Sequence, residues 1–460
     1  MHIFFLGKML CFSMTSSQLQ ARDPSQISSI DALPERVKQV SNINCDTFKS
    51  YHGVNYWYGG FACVDSVDGV KRVRKELDFL KKNGVNMLRV FITADGDSSY
   101  PYRVYPSIQN VPRKYNNEIM KGFDRFLVEV ERRKMQVIFV LSNNWEWTGG
   151  FGQYVDWSKS SQLNSNHSDR NNSQLNAPLP KTSNWDWDKY CEYVGSFYSD
   201  SMALEWYWDF VRFVVQRKNE EDGKTYSEHP AIFSWQLANE PRPMIKSEVE
   251  NYVLWIKKSA ELIRSLDSKH LISIGVEGKI GMFNDMGLFR RIHSFSQIDY
   301  ATIHLWPKTW NWYQGNPSEV FSADCLNQIS NYIQEHAEIC EELGKPLVIE
   351  EFGLERDANY ALEFSSTEFQ KSRFSNRTKT QWRDGFYALV YNLGNQNKIK
   401  GYNFWGYAGL KENINDSYFM KPKMQYSADP PQEEQGLYSV YRSDKSTWKV
   451  IRRFSKYNLR

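Results

Sequence analysis

Eight short, almost continuously apolar runs recur from residue 50 to the C-terminus, and long stretches with helical spacing separate most of them. The runs are 54–60 (VNYWYGG), 85–92 (VNMLRVFI), 136–142 (QVIFVLS), 231–238 (AIFSWQLA), 271–276 (LISIGV), 300–306 (YATIHLW), 346–351 (PLVIEE) and 402–405 (YNFW). A strand with one wet face alternates apolar and polar residues. Near-continuous apolarity belongs to strands covered on both faces, as in parallel sheets. Helical spacing is expected over 69–82, 119–134, 200–217, 248–266, 326–343, 380–393 and 445–455. Eight strands with intervening helices predict an α/β fold, a (β/α)8 TIM barrel. A doubly wound open sheet stays open as the alternative, because short apolar runs fit either.

Connection lengths argue for the barrel. Those leading into strands are short: Asn83-Gly84, 267–270 and Gly344-Lys345. Those leaving strands are long: roughly 93–116, 144–190 and 406–444. In a barrel all strand-to-helix loops share one face, and active sites are built there. One catalytic domain is expected over 46–460, with no internal repeat, and the polar stretch 160–184 is expected to be exposed and mobile.

Composition narrows the function. The apolar fraction of 41% supports a large core, and the body of the chain holds no run long enough to span a membrane. A net charge of +3, with basic and acidic residues interspersed, gives no nucleic-acid signature. The six cysteines (Cys11, Cys45, Cys63, Cys191, Cys325, Cys340) have no metal-ligand spacing, so neither metal nor cofactor is expected. The apolar start MHIFFLGKMLCFSM resembles an abbreviated export signal. A leader over 1–45 and a secreted or cell-envelope (periplasmic) location are therefore expected, and the protein is expected to act as a monomer. Four Asn-x-Ser/Thr triplets, at Asn166, Asn171, Asn376 and Asn415, carry little weight in so Ser/Asn-rich a chain.

Two strand ends carry carboxylates. The fourth run leads into Asn239-Glu240-Pro241, and the seventh ends in Glu350-Glu351-Phe352-Gly353. An acidic group beside an apolar strand is costly to bury without a purpose. Two carboxyls facing one another across a barrel mouth are the minimal equipment for glycosidic bond cleavage: one donates a proton, the other attacks. Adjacent strand residues point to opposite faces, so only one of Glu350 and Glu351 is expected in the cleft, with Glu350 turned to the helical layer. With 16 Trp and 27 Tyr the chain is rich in rings that suit the C–H faces of sugars. Trp57, Trp145, Trp306, Trp310 and Trp312 all fall at or after predicted strand ends.

Asn-Glu-Pro after strand four and Glu-Phe-Gly after strand seven resemble family 5 of the glycoside hydrolases, from about residue 50 onward. The resemblance implies Glu240 as general acid/base and Glu351 as nucleophile of a retaining hydrolase. It adds substrate-side roles for Arg89 on strand two, Asn239, His304 on strand six and Trp405 on strand eight. LANEPR (237–242), GVNYWYG (53–59), Asn143-Asn144-Trp145 and the 429–440 stretch are similar to its endo-β-1,4-mannanase branch. Many cellulases of the family carry a histidine where Asn143-Asn144-Trp145 stands. One departure is Trp306, where the family usually has a tyrosine that bonds the nucleophile. Trp57, Asn143, Asn144, Trp145 and Trp306 complete the expected substrate-binding set. Glu240 is expected with a raised pKa and Glu351 with a lowered one. The substrate implied is a β-mannan. An endo-β-1,4-glucanase, a transglycosylase and a non-catalytic carbohydrate-binding barrel are the alternatives.

Overall fold

The computed structural model describes residues 48–97, 102–165, 186–357, 374, 378–409 and 426–456. The expected leader, most of the 160–184 stretch, Cys11, Cys45 and the triplet asparagines lie outside them. Eight strands form one parallel sheet: β1 (Tyr51–Asn55), β2 (Met87–Phe91), β3 (Gln136–Val140), β4 (Ile232–Gln236), β5 (Leu271–Ser273), β6 (Ala301–Leu305), β7 (Leu347–Phe352) and β8 (Gly401–Phe404). Their order is β5-β4-β3-β2-β1-β8-β7-β6, so the sheet curls until β5 meets β6. There the ladder gives way to single bonds. The Asp299 and His304 N–H groups donate to the Ile272 and Glu277 carbonyls at 2.8 and 3.0 Å. The Thr302 hydroxyl donates to the Val276 carbonyl at 2.8 Å. The barrel of the sequence reading is present.

A helix follows each strand: Asp68–Lys82, Asn117–Arg132, Ser201–Val215, Val249–Leu266, Met286–His293, Ala323–Glu342, Gln381–Gln396 and Lys445–Ser455. Several start on side-chain caps, such as Asn116, Asp200, Asp285 and Ser322, each accepting orphan first-turn N–H groups. None among the described residues is long and apolar enough to cross a membrane. Outward strand residues such as Leu88, Val90, Phe139, Trp235, Ile303 and Phe404 join these helices in the main core. Inside the barrel, Phe48, Tyr51, Met87, Ile138, Leu271, Tyr300 and Val348 pack its lower end.

Two expectations need correction. The first strand lies at Tyr51–Asn55, a few residues earlier than expected, and Gly59–Ala62 is helical. Tyr56, Trp57 and Tyr58 have already left the sheet. The long exit from β3 is not irregular throughout, since it contains helices Gly150–Ser165 and Trp187–Gly195. Cys63, Cys191 and Cys325 are buried free thiols, and Cys340 is buried as well.

Candidate active site

Glu240 stands where β4 meets its loop, at a φ of 47°. Left-handed backbone disfavours residues with a Cβ, at a cost of about 1 kcal/mol. Bonds on both sides hold the turn. The Glu240 N–H donates to the Gly275 carbonyl at 2.9 Å, and the Asn239 N–H donates to the Ser142 carbonyl at 2.8 Å. Gly275 has a φ of 90°, and a Cβ there would lie 2.0 Å from the Ala238 oxygen. The glycine lets the β5 end come close enough to fix Glu240.

On β7 the register with β6 skips a residue: Ile349 pairs with Ile303, and Glu351 with His304. Such a bulge breaks the strict alternation of strand faces. Both Glu350 and Glu351 therefore turn into the barrel, which corrects the expectation that Glu350 faces the helices. Arg89 lies between them. Its Nη1 donates to Glu351 and to Asn55 Oδ1, its Nη2 to Asn239 Oδ1 at 2.7 Å, and its Nε to Gln236 Oε1 at 2.9 Å. Glu350 sits 3.6 Å from the Arg89 Nε and accepts from the Gln236 amide at 2.6 Å. Arg89 is wholly buried and supports Glu351 from below.

His304 joins the two carboxylates. Its Nδ1 lies 2.6 Å from Glu240 Oε1 and 3.3 Å from Glu351 Oε2. One ring nitrogen of His304 and one oxygen of each glutamate all fall within 4.8 Å of one another. Burial opposes charge on His304, but the nearby Glu351, then the hydrogen bond to Glu240, raise its pKa. Burial likewise pushes Glu240 up, yet the His304 hydrogen bond, that imidazole's charge, Arg242 and the Trp145 indole hold it at about 2. At Glu351 burial wins over His304 and Arg89, and the pKa is raised. This is the reverse of the expected assignment. His304, whose hold on a proton is strengthened by the two carboxylates, lies one hydrogen bond from Glu240.

The other expected residues divide into three groups. Trp306 donates its indole N–H to Glu351 Oε2 at 3.0 Å, so it occupies the family tyrosine's role. Trp405 stands edge-on to Trp306, with centroids 6.0 Å apart. Trp145 donates to Glu240 Oε2 at 2.5 Å and is half-buried. Trp145 and Trp306 are half-buried beside the two carboxylates, and Trp405, Asn239 and His304 are buried there. Asn143 acts through a neighbour, its Oδ1 accepting from the Asn239 amide at 3.1 Å, and Asn144 is buried beside it with no side-chain partner among the described residues. Trp57 is misassigned. It is fully covered, donates to the Ala428 carbonyl at 2.8 Å and packs against Trp147 and Tyr426. No face is left for a sugar.

Sequence reasoning missed several residues. Gln236 and Asn55 orient Arg89, and their signal was a polar side chain inside an apolar run. Arg242 covers Trp145 at 5.0 Å and pairs with Glu277 at 2.5 Å. On the Glu351 side, Tyr438 packs on Trp306 at 4.9 Å. Burial, then Asp429, Glu351 and Glu240, push the Glu433 carboxyl up to about 8. Asp429 pins that turn by accepting from the Gly436 and Tyr438 N–H groups at 2.8 and 2.9 Å. Spacing gave no warning of this turn's position.

Residues 37–459 match the family described as glycoside hydrolase family 5 β-mannosidase-like. A rice mannan endo-1,4-β-mannosidase is 28% identical over 351 residues, covering 73% of this chain and 83% of the relative. An Arabidopsis thaliana mannan endo-1,4-β-mannosidase is 29% identical over 331 residues, covering 69% and 70%. The crystal structure of a family 5 mannosidase from Rhizomucor miehei superposes with a TM-score of 0.74 at 31% identity, covering 89% of this chain and 93% of that one. The chain therefore belongs to the β-mannosidase-like group of glycoside hydrolase family 5, and it is a glycoside hydrolase.

Proposed function

We propose that the protein is an endo-acting β-1,4-mannanase, cleaving mannan, galactomannan or glucomannan with retention of configuration. The observation that carries the mechanism is the closeness of the two carboxylates, joined within 4.8 Å through His304. Retaining enzymes hold their pair about 5–5.5 Å apart, whereas inverting ones need about 6.5–9.5 Å to admit a water. Glu351, ionised and aimed by Trp306 and Arg89, attacks the anomeric carbon. Glu240 gives the leaving oxygen a proton drawn from His304 across their 2.6 Å hydrogen bond. A covalent glycosyl-enzyme results. Glu240 then takes a proton from water, and the hydroxide releases the sugar. Asn239 keeps one amide hydrogen for the sugar 2-hydroxyl, a contact that strengthens in the transition state. Trp405 provides the floor under the reacting ring. The substrate reading rests on the plant mannan endo-1,4-β-mannosidases. A polymeric substrate also fits a leader over 1–45 and action outside the cell or in its envelope.

A second reading, an exo-acting β-mannosidase, is favoured by one observation. The turn carrying Glu433 and Tyr438 packs on Trp306 beside Glu351, on the side where the non-reducing part of a long chain would run. Galactomannan viscosity measured alongside reducing ends separates the two readings. Early collapse of viscosity supports endo action, and release of mannose alone with viscosity preserved supports exo action. Cleavage of cellulose in preference to both would overturn the mannan reading. Glu351→Ala is expected to lose activity on every substrate, and survival of activity would sink the assignment of the nucleophile.

A further inference from the structure

The aromatic rings of the cleft fall into two sets. Trp306, Trp405 and Tyr438 gather at the nucleophile Glu351. Trp145, Trp187 and Tyr190 gather at the acid/base Glu240. The acid/base protonates the leaving oxygen, so a ring bonded to Glu240 and away from Glu351 borders the leaving group.

This second set shares an orientation. Trp145 and Tyr190 lie 10° from parallel at 6.4 Å, Trp187 and Tyr190 22° at 5.7 Å, and Trp145 and Trp187 32° at 6.3 Å. Tyr190 is the buried backing, its hydroxyl donating to the Asn144 carbonyl at 3.3 Å. Trp145 is half-covered, with the Arg242 guanidinium over its ring. Trp187 opens the helix Trp187–Gly195 on an Asp186 cap and leaves 38% of its surface in water. An indole so exposed, clustered with a ring that bonds Glu240, is a ready surface for the apolar face of a pyranose.

We propose that Trp187 forms a sugar-binding subsite on the leaving-group side, two rings beyond the bond that breaks, reached past Trp145 and Arg242. Its occupant is a β-1,4-linked pyranose of the departing chain, or of an incoming acceptor in the reverse direction. That this sugar is mannose rests on the proposed function. The platform itself requires only β-1,4-linked pyranoses.

The test compares kcat/KM for mannotetraose with that for an aryl β-mannoside, which carries no second leaving-group sugar, in wild type, Trp187→Ala and Trp187→Tyr. The tetraose-to-aryl ratio is expected to fall about tenfold in Trp187→Ala, the worth of one aromatic contact, and to recover largely in Trp187→Tyr. An unchanged ratio, including equal losses on both substrates, overturns the subsite. Should wild type ignore mannosides and cleave the matching glucosides, the mannan reading falls and the same ratio on cellotetraose judges Trp187. Should it cleave neither series, tetraose binding decides: about tenfold weaker binding by Trp187→Ala supports the platform, and equal binding overturns it.

Discussion

At the scale of single residues, catalytic tuning depends on who shares Arg89. Its guanidinium serves Glu351 and Glu350 together, with Glu350 Oε2 at 3.6 Å from its Nε. Glu351 must be ionised to attack, so activity falls as pH drops through its pKa, which burial has raised. Glu350→Gln leaves the arginine's charge to Glu351 alone. The acidic limb of the kcat/KM profile should then move to lower pH, and a limb left in place would show that Glu350 does not share the charge. Trp306→Phe keeps the ring and removes the donor to Glu351. It should lower kcat about tenfold and move the acidic limb upward, since a lost hydrogen bond to the charged form raises a pKa. Gly353 explains the third letter of the Glu-Phe-Gly motif: a Cβ there would lie 2.6 Å from the Trp306 ring. Glu240, Glu351 and their near partners were legible because motif residues announce themselves by type and place. Glu350 was misread because a bulge leaves no trace in composition. Trp57 was misread because a spare carbonyl, that of Ala428, claims its indole N–H only in three dimensions.

Among the elements, the loops leaving β7 and β8 are locked to the last two helices by Asp444. It accepts from Arg356 at 2.7 and 2.8 Å, from Arg383 at 2.8 Å, and from the Tyr441 N–H at 2.9 Å. Both arginines are wholly buried. Asp444→Ala strands two buried cations and should cost about 3–5 kcal/mol in chemical denaturation. A loss near that of a surface substitution would contradict the lock. Strands β2 to β8 could be read from sequence because both of their faces are covered. The first could not be placed, since YHGVN is short, polar at His52 and interrupted by Gly53, while the more apolar VNYWYGG beside it belongs mostly to the turn. Helix Gly150–Ser165 escaped notice for a related reason: its glycines, serines and asparagine read as loop. Helix Met286–His293 was too short to show a period.

For the whole molecule, the described structure begins with Phe48, which plugs the lower end of the barrel. Its ring meets Tyr51, Phe233 and Tyr300 with centroids 6.3, 5.5 and 5.5 Å away. Phe48→Ala should destabilise the fold by about 3–5 kcal/mol, as other buried Phe→Ala changes do. A loss near that of a surface substitution would contradict the plug.

The bulge in β7 has a further consequence, for engineering. In most buried ion pairs, deleting the acid strands its cation and the fold suffers. Here Glu350 remains beside Arg89 when Glu351 is removed. A Glu351→Ala or Glu351→Gly protein should therefore stay folded, with its leaving-group platform intact and an empty space where the nucleophile stood. Offered an activated α-glycosyl fluoride that mimics the covalent intermediate, such a variant would have no means of hydrolysing its product. The same barrel would then become a catalyst for building β-linked oligosaccharides.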